Sequence, residues 1–171
     1  MNCKISKAGI NDVERLNILI NSAYRGETSK KGWTTEADLL GGIRTDADEL
    51  RSIISKPASF ILKCVSEDEI IGCVRLEKKG HKLYLGMLTV SPELQNRGVG
   101  KLLMKAAEEE AGKLGCNYIY MTVISLRTEL IAWYERHGYV NTHVTKPFPM
   151  NDPAYGIPKR FLEFVVLEKH L

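Results

Sequence analysis

No apolar run in this sequence approaches the roughly 20 residues that a bilayer-spanning helix needs, so no membrane association is expected. The opening Met1-Asn2-Cys3-Lys4-Ile5 lacks the apolar stretch of a secretory leader, which points to the cytoplasm. Cysteine is sparse. Cys3, Cys64, Cys73 and Cys116 are scattered, with no C-x-x-C and no histidine at metal-ligand spacing. That leaves no metal site and no disulfide framework to expect; buried free thiols in a reducing compartment fit better. Charge of one sign is also lacking. A net charge of +3 is too small to argue for a nucleic-acid partner. There is no internal repeat, no low-complexity tract and no G-x-S-x-G nucleophile motif.

What is present suits a globular protein. A chain of 171 residues, 44% hydrophobic and 26% charged, is the size of one domain with one core, here taken as residues 1–171. Residues 2 to 8 can form a first strand. Asn11 or Asp12 can cap a helix from about 12 to 24, with Val13, Leu16, Ile20 and Ala23 along one face. Polar residues 25 to 34 read as a loop. Thr35 can cap a short helix that Gly41-Gly42 interrupts, and Thr45 or Asp46 can start another that ends before Pro57. Ser59–Ser66, Ile70–Lys79 and Lys82–Val90 read as an antiparallel meander. A helix follows Gly98 and stops at Gly115. A strand over 117–124, a helix over 127–137, and strands Tyr139–Thr145 and Arg160–Leu167 complete the chain. A proline-rich connection lies between the last two strands. The order β-αα-βββ-α-β-α-ββ predicts a mixed α/β or α+β architecture, helices packed on a central sheet.

The stretch Val90 to Lys101, V-S-P-E-L-Q-N-R-G-V-G-K, carries the chemistry. A strand runs through a glycine-bearing turn directly into a helix. The first helical N–H groups have no intrahelical partner, and the helix dipole makes that end partly positive. Gly98 and Gly100 let main chain approach an anion without a Cβ in the way, and Arg97 and Lys101 add positive charge. A plain strand-to-helix turn would use the glycines for tightness alone. A Walker A loop would need glycine at 95 and a hydroxyl at 102, where Gln95 and Leu102 stand, and a G-x-G-x-x-G dinucleotide loop also fails.

The surviving pattern, Q-x-R-G-x-G, resembles the pyrophosphate loop of the GCN5-related N-acetyltransferase (GNAT) family. A second stretch, R-T-E-L-I-A-W-Y-E-R-H-G-Y from Arg127 to Tyr139, is similar to that family's N-x-x-A-x-x-x-Y-x-x-x-G-[F/Y]. Tyr134, Gly138 and Tyr139 match, whereas Arg127 stands where asparagine is common and Leu130 where alanine is common.

The resemblance implies a fold with a central mixed, mostly antiparallel sheet of about six to seven strands flanked by about four helices. It implies acetyl-CoA as acyl-donor cosubstrate, held by Gln95, Asn96, Arg97, Gly98, Val99, Gly100 and Lys101, with main chain at Leu88 and Val90 pairing with the pantetheine arm. It implies transfer of the acetyl group to a primary amine by direct attack in a ternary complex, with Tyr134 as general acid for the departing thiolate. A tyrosine pKa of about 10 keeps that proton in place at neutral pH. A core tyrosine packed beside Leu130 is the plainer alternative. For the whole chain, the other reading is a non-catalytic acyl-CoA-binding or partner-binding module.

The strand from Lys82 to Pro92 contains no carboxylate, and Tyr84 stands where several relatives carry a glutamate base. Glu77, Glu36 and His137 are the other candidates, with a water chain as alternative. The acceptor, a small-molecule or peptide amine, is expected near Trp33, Glu36, Arg44, Arg127 and Phe148. Trp33 would shield it, Glu36 would pair with its amine, Arg44 or Arg127 with a carboxylate, and Phe148 would close the far side. Homodimers are common in the family and compatible with this chain.

Overall fold

The computed structural model describes residues 1–171. The chain forms β1 (Lys4–Lys7), α1 (Val13–Tyr24), the single turn α2 (Gly26–Ser29), the two-residue strand β2 (Leu40–Gly41), α3 (Ala47–Ser55), β3 (Ser59–Ser66), β4 (Glu69–Lys79) and β5 (Lys82–Val90). Then come α4 (Val99–Lys113), β6 (Tyr118–Ile124), α5 (Thr128–Arg136), β7 (Val140–Pro147), the short β8 (Ile157–Pro158) and β9 (Glu163–His170). Seven strands make one sheet in the order β1-β3-β4-β5-β6-β9-β7, as the sequence predicts in number. All neighbours are antiparallel except β5 and β6. No helix is long and apolar enough to cross a membrane.

The strands alternate between two cores, as a side-chain period of two requires. On one face α4 buries Val99, Leu103, Met104, Ala107 and Ala111 against Leu62, Val74, Leu76, Leu83 and Leu85. On the other, α1 and α3 bury Val13, Leu16, Ile20, Leu50 and Ile53 against Ile61, Ile70 and Cys73. The helices follow their apolar stripes, and the start of α3 is set by Asp46, whose carboxylate accepts from the Glu49 N–H at 2.8 Å.

β5 breaks its own alternation. Leu83 and Leu85 face the α4 core, but Met87 turns to the opposite one, and Leu88 and Val90 return to the first. The cause is a bulge. Arg75 pairs with Gly86 and Cys73 with Thr89, so β5 holds one residue more than β4 between those rungs. Met87 absorbs it at φ 47, a conformation that few non-glycine residues adopt.

Three stretches differ from expectation: the segment after Thr35, the loop over 25–34 and the proline-rich connection, which contains β8. No helix forms after Thr35: its hydroxyl accepts from the Ala37 N–H at 3.0 Å, a turn follows, and Leu40–Gly41 then pair with Ile157–Pro158. Gly41-Gly42 weaken helix propagation, and Gly42 sits at φ +76, so the strand pairing wins. The loop expected over 25–34 contains the one-turn helix α2.

Gly72, opposite Val90, seats α4 on the sheet. A Cβ there would lie 2.9 Å from the Thr89 carbonyl oxygen and 3.0 Å from side-chain carbons of both Val99 and Leu103. Gly72→Ala should therefore lower stability by about 1–3 kcal/mol in urea denaturation, the usual cost of overpacking. A change below about 0.5 kcal/mol would show that α4 shifts freely on the sheet.

Candidate active site

β5 and β6 run parallel for three rungs only, Lys82 with Tyr118, Leu83 with Ile119 and Tyr84 with Tyr120. Beyond Tyr84 they part. β5 continues to Val90 against β4, and β6 continues to Ile124 against β9. The result is a V-shaped opening in the sheet, with β5 unpaired on that side from the bulge onward. The Tyr24 hydroxyl, from the end of α1, donates to the Leu88 carbonyl at 3.0 Å and fixes the bulged segment. Burial pushes that hydroxyl up to about 12, so it stays a donor throughout the neutral range.

At the wide end of the V, the chain turns into α4. Asn96 at φ 63 and Gly98 at φ +84 make the reversal, and Gly98 precedes α4 with no capping side chain. The N–H groups of Val99, Gly100 and Lys101 thus begin the helix without intrahelical acceptors. A Cβ on Gly100 would stand 3.4 Å from the Trp133 ring, which leaves little room for any larger side chain. Gln95 does something the sequence did not predict. Its amide donates to the Val90 carbonyl at 3.2 Å and accepts from the Trp33 N–H at 2.9 Å, tying the 30s loop to the end of β5. A side chain at Gly32 would displace the Gln95 amide from this position, because its Cβ would fall against Oε1.

Two cavities meet inside the V. The smaller, 260 Å³, is lined by Val90, Gln95, Asn96, Gly98, Val99, Gly100 and Lys101, and by Trp33 and Trp133. The larger, 790 Å³, lies between β5, β6, the 40s segment and the proline-rich connection. Tyr24, Leu88, Arg127, Leu130 and Tyr134 border both. Tyr134 is only 5% exposed, its ring edge-on to Trp133 and Tyr139 at 5.2 and 5.7 Å. Burial raises its pKa well above the ordinary tyrosine value.

The expected residues do not all reach the places foreseen. Arg97 is exposed and lines neither cavity. Trp33 lies on the smaller cavity, 6.3 Å from Trp133, and not on the larger one. Arg44 and Phe148 do line the larger cavity, with Phe148 buried against Phe164 at 5.2 Å. Of the candidate bases, Glu77 lies outside both cavities. The Lys56 ammonium, hydrogen-bonded at 2.7 Å, holds its carboxyl below the usual range despite burial, and Arg75 pairs with it at 3.0 Å. His137 lines only the smaller cavity, its Nδ1 2.7 Å from the Trp133 carbonyl.

Glu36 and Arg127 correct the expectation most. They satisfy each other. Glu36 is buried between Arg25, at 3.0 Å from both Nε and Nη2, and the Nη1 of Arg127 at 3.1 Å. Arg127 also donates to the Thr34 hydroxyl at 2.8 Å, and Arg25 donates to the carbonyls of Gly41, Ile43 and Tyr155. Glu36 is not free for an incoming amine, and Arg127 keeps only its buried Nε without a hydrogen-bond partner. Arg25 was missed because nothing local in R-G-E-T marks it as buried; burial lowers its pKa, and Glu36 opposes that shift. Glu36→Gln would leave two buried guanidinium groups uncompensated. It should cost about 3–5 kcal/mol in urea denaturation; a loss under about 1 kcal/mol would mean that the cluster is solvated.

The acetyltransferase (GNAT) family model matches residues 18–139. Over 79 residues the chain is 29% identical to an acetyltransferase of Agrobacterium fabrum, a stretch that is 46% of this chain and 56% of that protein. The chain thus spans a little over half the length of that curated relative. In fold it is similar to the PaiA N-acetyltransferase of Thermoplasma acidophilum, solved in complex with coenzyme A, at a TM-score of 0.75, 21% identity and 100% coverage of both chains. It is also similar to the ribosomal-protein-S18-alanine N-acetyltransferase of Escherichia coli, at a TM-score of 0.73 and 13% identity over 99% of this chain and 94% of that one. Because the family match runs from within α1 to the Gly138-Tyr139 pair after α5, and takes in both sequence motifs, the chain belongs to the acetyltransferase (GNAT) family.

Proposed function

We propose that the protein, as one domain over residues 1–171, transfers the acetyl group of acetyl-CoA to a primary amine by direct attack in a ternary complex. The observation that carries this reading is the junction of the two cavities at Tyr134 and Leu88. Donor and acceptor can enter from different sides and meet at one buried hydroxyl.

The smaller cavity suits the donor. The N–H groups of Val99, Gly100 and Lys101 would hold the pyrophosphate, with the Lys101 ammonium adding charge and exposed Arg97 contributing from outside. Asn96 and Gly98 shape the turn, and Gln95 acts by holding Val90 and Trp33. The open side of β5 at Leu88 and Val90 would pair with the pantetheine arm as an added strand. The larger cavity would take a small-molecule amine or the end of a peptide. There the nitrogen lone pair attacks the thioester carbonyl carbon, the C–N bond forms, the C–S bond breaks, the sulfur takes the Tyr134 proton, and the proton that the acylated nitrogen then sheds returns through solvent to the Tyr134 phenolate. Main-chain donors of the bulged segment, pinned by Tyr24, are placed to polarise the carbonyl without reorganising. With Glu36 and Glu77 both engaged, we assign removal of the ammonium proton to solvent in the larger cavity. Free thiols at Cys3, Cys64, Cys73 and Cys116 fit a reducing cytoplasm.

Tyr134→Phe should lower kcat by about 10²-fold or more while the Kd for acetyl-CoA stays within about threefold. An unchanged kcat would remove Tyr134 from the mechanism. Tight acetyl-CoA binding with no thiol released by any amine would favour the non-catalytic module instead. The pH profile gives an independent test. A general acid works while protonated, and Tyr134 loses its proton only as pH rises through a value raised well above the usual tyrosine one. The rate should therefore show no descending limb below about pH 10, and its rising limb should follow the pKa of the acceptor amine. A descending limb between pH 7 and 9 would contradict the assignment.

A further inference from the structure

Cations outnumber carboxylates around the larger cavity, and one guanidinium among them has no partner. Arg25 and Arg127 share Glu36, and Arg75 shares Glu77 with Lys56, so each of these guanidinium groups has a carboxylate beside it. Asp46 and Glu49 lie in the first turn of α3, where the helix N-terminus answers them: Asp46 accepts from the Glu49 N–H, and Glu49 from the Thr45 hydroxyl at 2.7 Å. Arg44 has no such partner. Its main-chain N–H is bound by Asn21 at 2.7 Å, which fixes the backbone, but its guanidinium makes no ion pair and no hydrogen bond within the protein. It lies half-buried over the Tyr24 ring, 5.2 Å from the centroid. The far end of that same ring holds the Leu88 carbonyl. One aromatic ring therefore separates an unpaired, fork-shaped cation from the strand segment where the two cavities join.

One stretch of the wall is apolar. Leu40, Ile43, Met87, Phe148 and Phe164 line the cavity between Arg44 and the proline-rich connection. A polycation entering it would meet four guanidinium groups and the Lys146 ammonium against three carboxylates, of which Glu36 is already paired and Asp46 and Glu49 are engaged at the start of α3. A guanidinium left unpaired beside apolar walls suits a ligand with a carboxylate and an apolar body.

We infer that the acceptor is a primary amine that also carries a carboxylate and an apolar body, with Arg44 binding the carboxylate and selecting against polycations. An apolar amino acid is the simplest such molecule. The inference rests on the acetyltransferase reading and adds the acceptor class to it.

The test is a thiol-release assay on matched pairs: phenylalanine against phenethylamine, leucine against isopentylamine, ε-aminocaproate against pentylamine, with spermidine as the polycation. Wild type, Arg44→Gln and Arg44→Lys are compared, and acetyl-CoA binding is measured by calorimetry for each. At least one carboxylated member should exceed its partner by about 10-fold or more in kcat/KM, and spermidine should be poorer still. In Arg44→Gln that ratio should collapse towards one through a rise in KM, Arg44→Lys should restore part of it, and the Kd for acetyl-CoA should not change. Equal turnover within every pair, or a preference that survives Arg44→Gln, would overturn the inference and leave the acetyltransferase reading intact. So would donor binding with turnover of spermidine alone, or with no turnover of any carboxylated amine. Failure of the wild type to bind acetyl-CoA would instead overturn the underlying reading, and the inference with it.

Discussion

One carboxylate ties together the parts of the chain that form the site. Glu36 lies between Arg25, just beyond α1, and Arg127, just before α5. Through Arg25 the cluster reaches the carbonyls of Gly41, Ile43 and Tyr155, and through Arg127 it reaches Thr34. These segments form little regular structure, and besides this cluster they are held by the β2–β8 pairing and by a small apolar group of Leu40, Ile124, Phe148 and Leu162. Taking three charges out of water is costly, and it is tolerated because each side chain finds charged or carbonyl partners. Arg127 then borders both cavities, so the cluster also forms part of the wall where they meet.

The second constraint is the extra residue in β5. Without the bulge at Met87, Leu88 and Val90 would face the opposite core, and the strand could follow β6 further than Tyr84. The left-handed conformation of Met87 is held by packing in the α1/α3 core, while Leu88 and Val90 pack against the α4 core. The opening in the sheet is thus bought by burial on both faces. Gly72 matters for the same reason: it lets α4 settle close to the sheet opposite Val90, where the turn through Gly98 begins.

Much of this was legible in the sequence wherever the determinant is local. The strands of the meander follow from a period of two and the helices from their apolar stripes; Gly98 and Gly100 announce a tight strand-to-helix turn. Tyr134, Gly98, Gly100 and Lys101, singled out by the two motifs, line one cavity. The rest depends on contacts between distant residues. Glu36 and Arg127 are 91 positions apart, and each alone reads as a surface charge. Gly86 is an isolated glycine in a strand, which signals a bulge, but the positive φ falls on the next residue, Met87, which lacks the freedom of glycine. Thr35 carries a helix-cap signal, but pairing of Leu40–Gly41 with a strand more than a hundred residues later overrides it. Gln95 fits a phosphate-loop motif, yet its side chain is engaged by Trp33 and Val90, a link invisible before the 30s loop is placed.

The central claim is that the turn into α4 and the opening beside β5 form the seat of acetyl-CoA. Calorimetric titration of acetyl-CoA into the wild type and Gly100→Asp tests it most directly. The account predicts saturable binding of one equivalent by the wild type and none by the variant, whose carboxylate would face the pyrophosphate from the crowded position beside Trp133. Equal binding by both proteins, or no binding by the wild type, would contradict it.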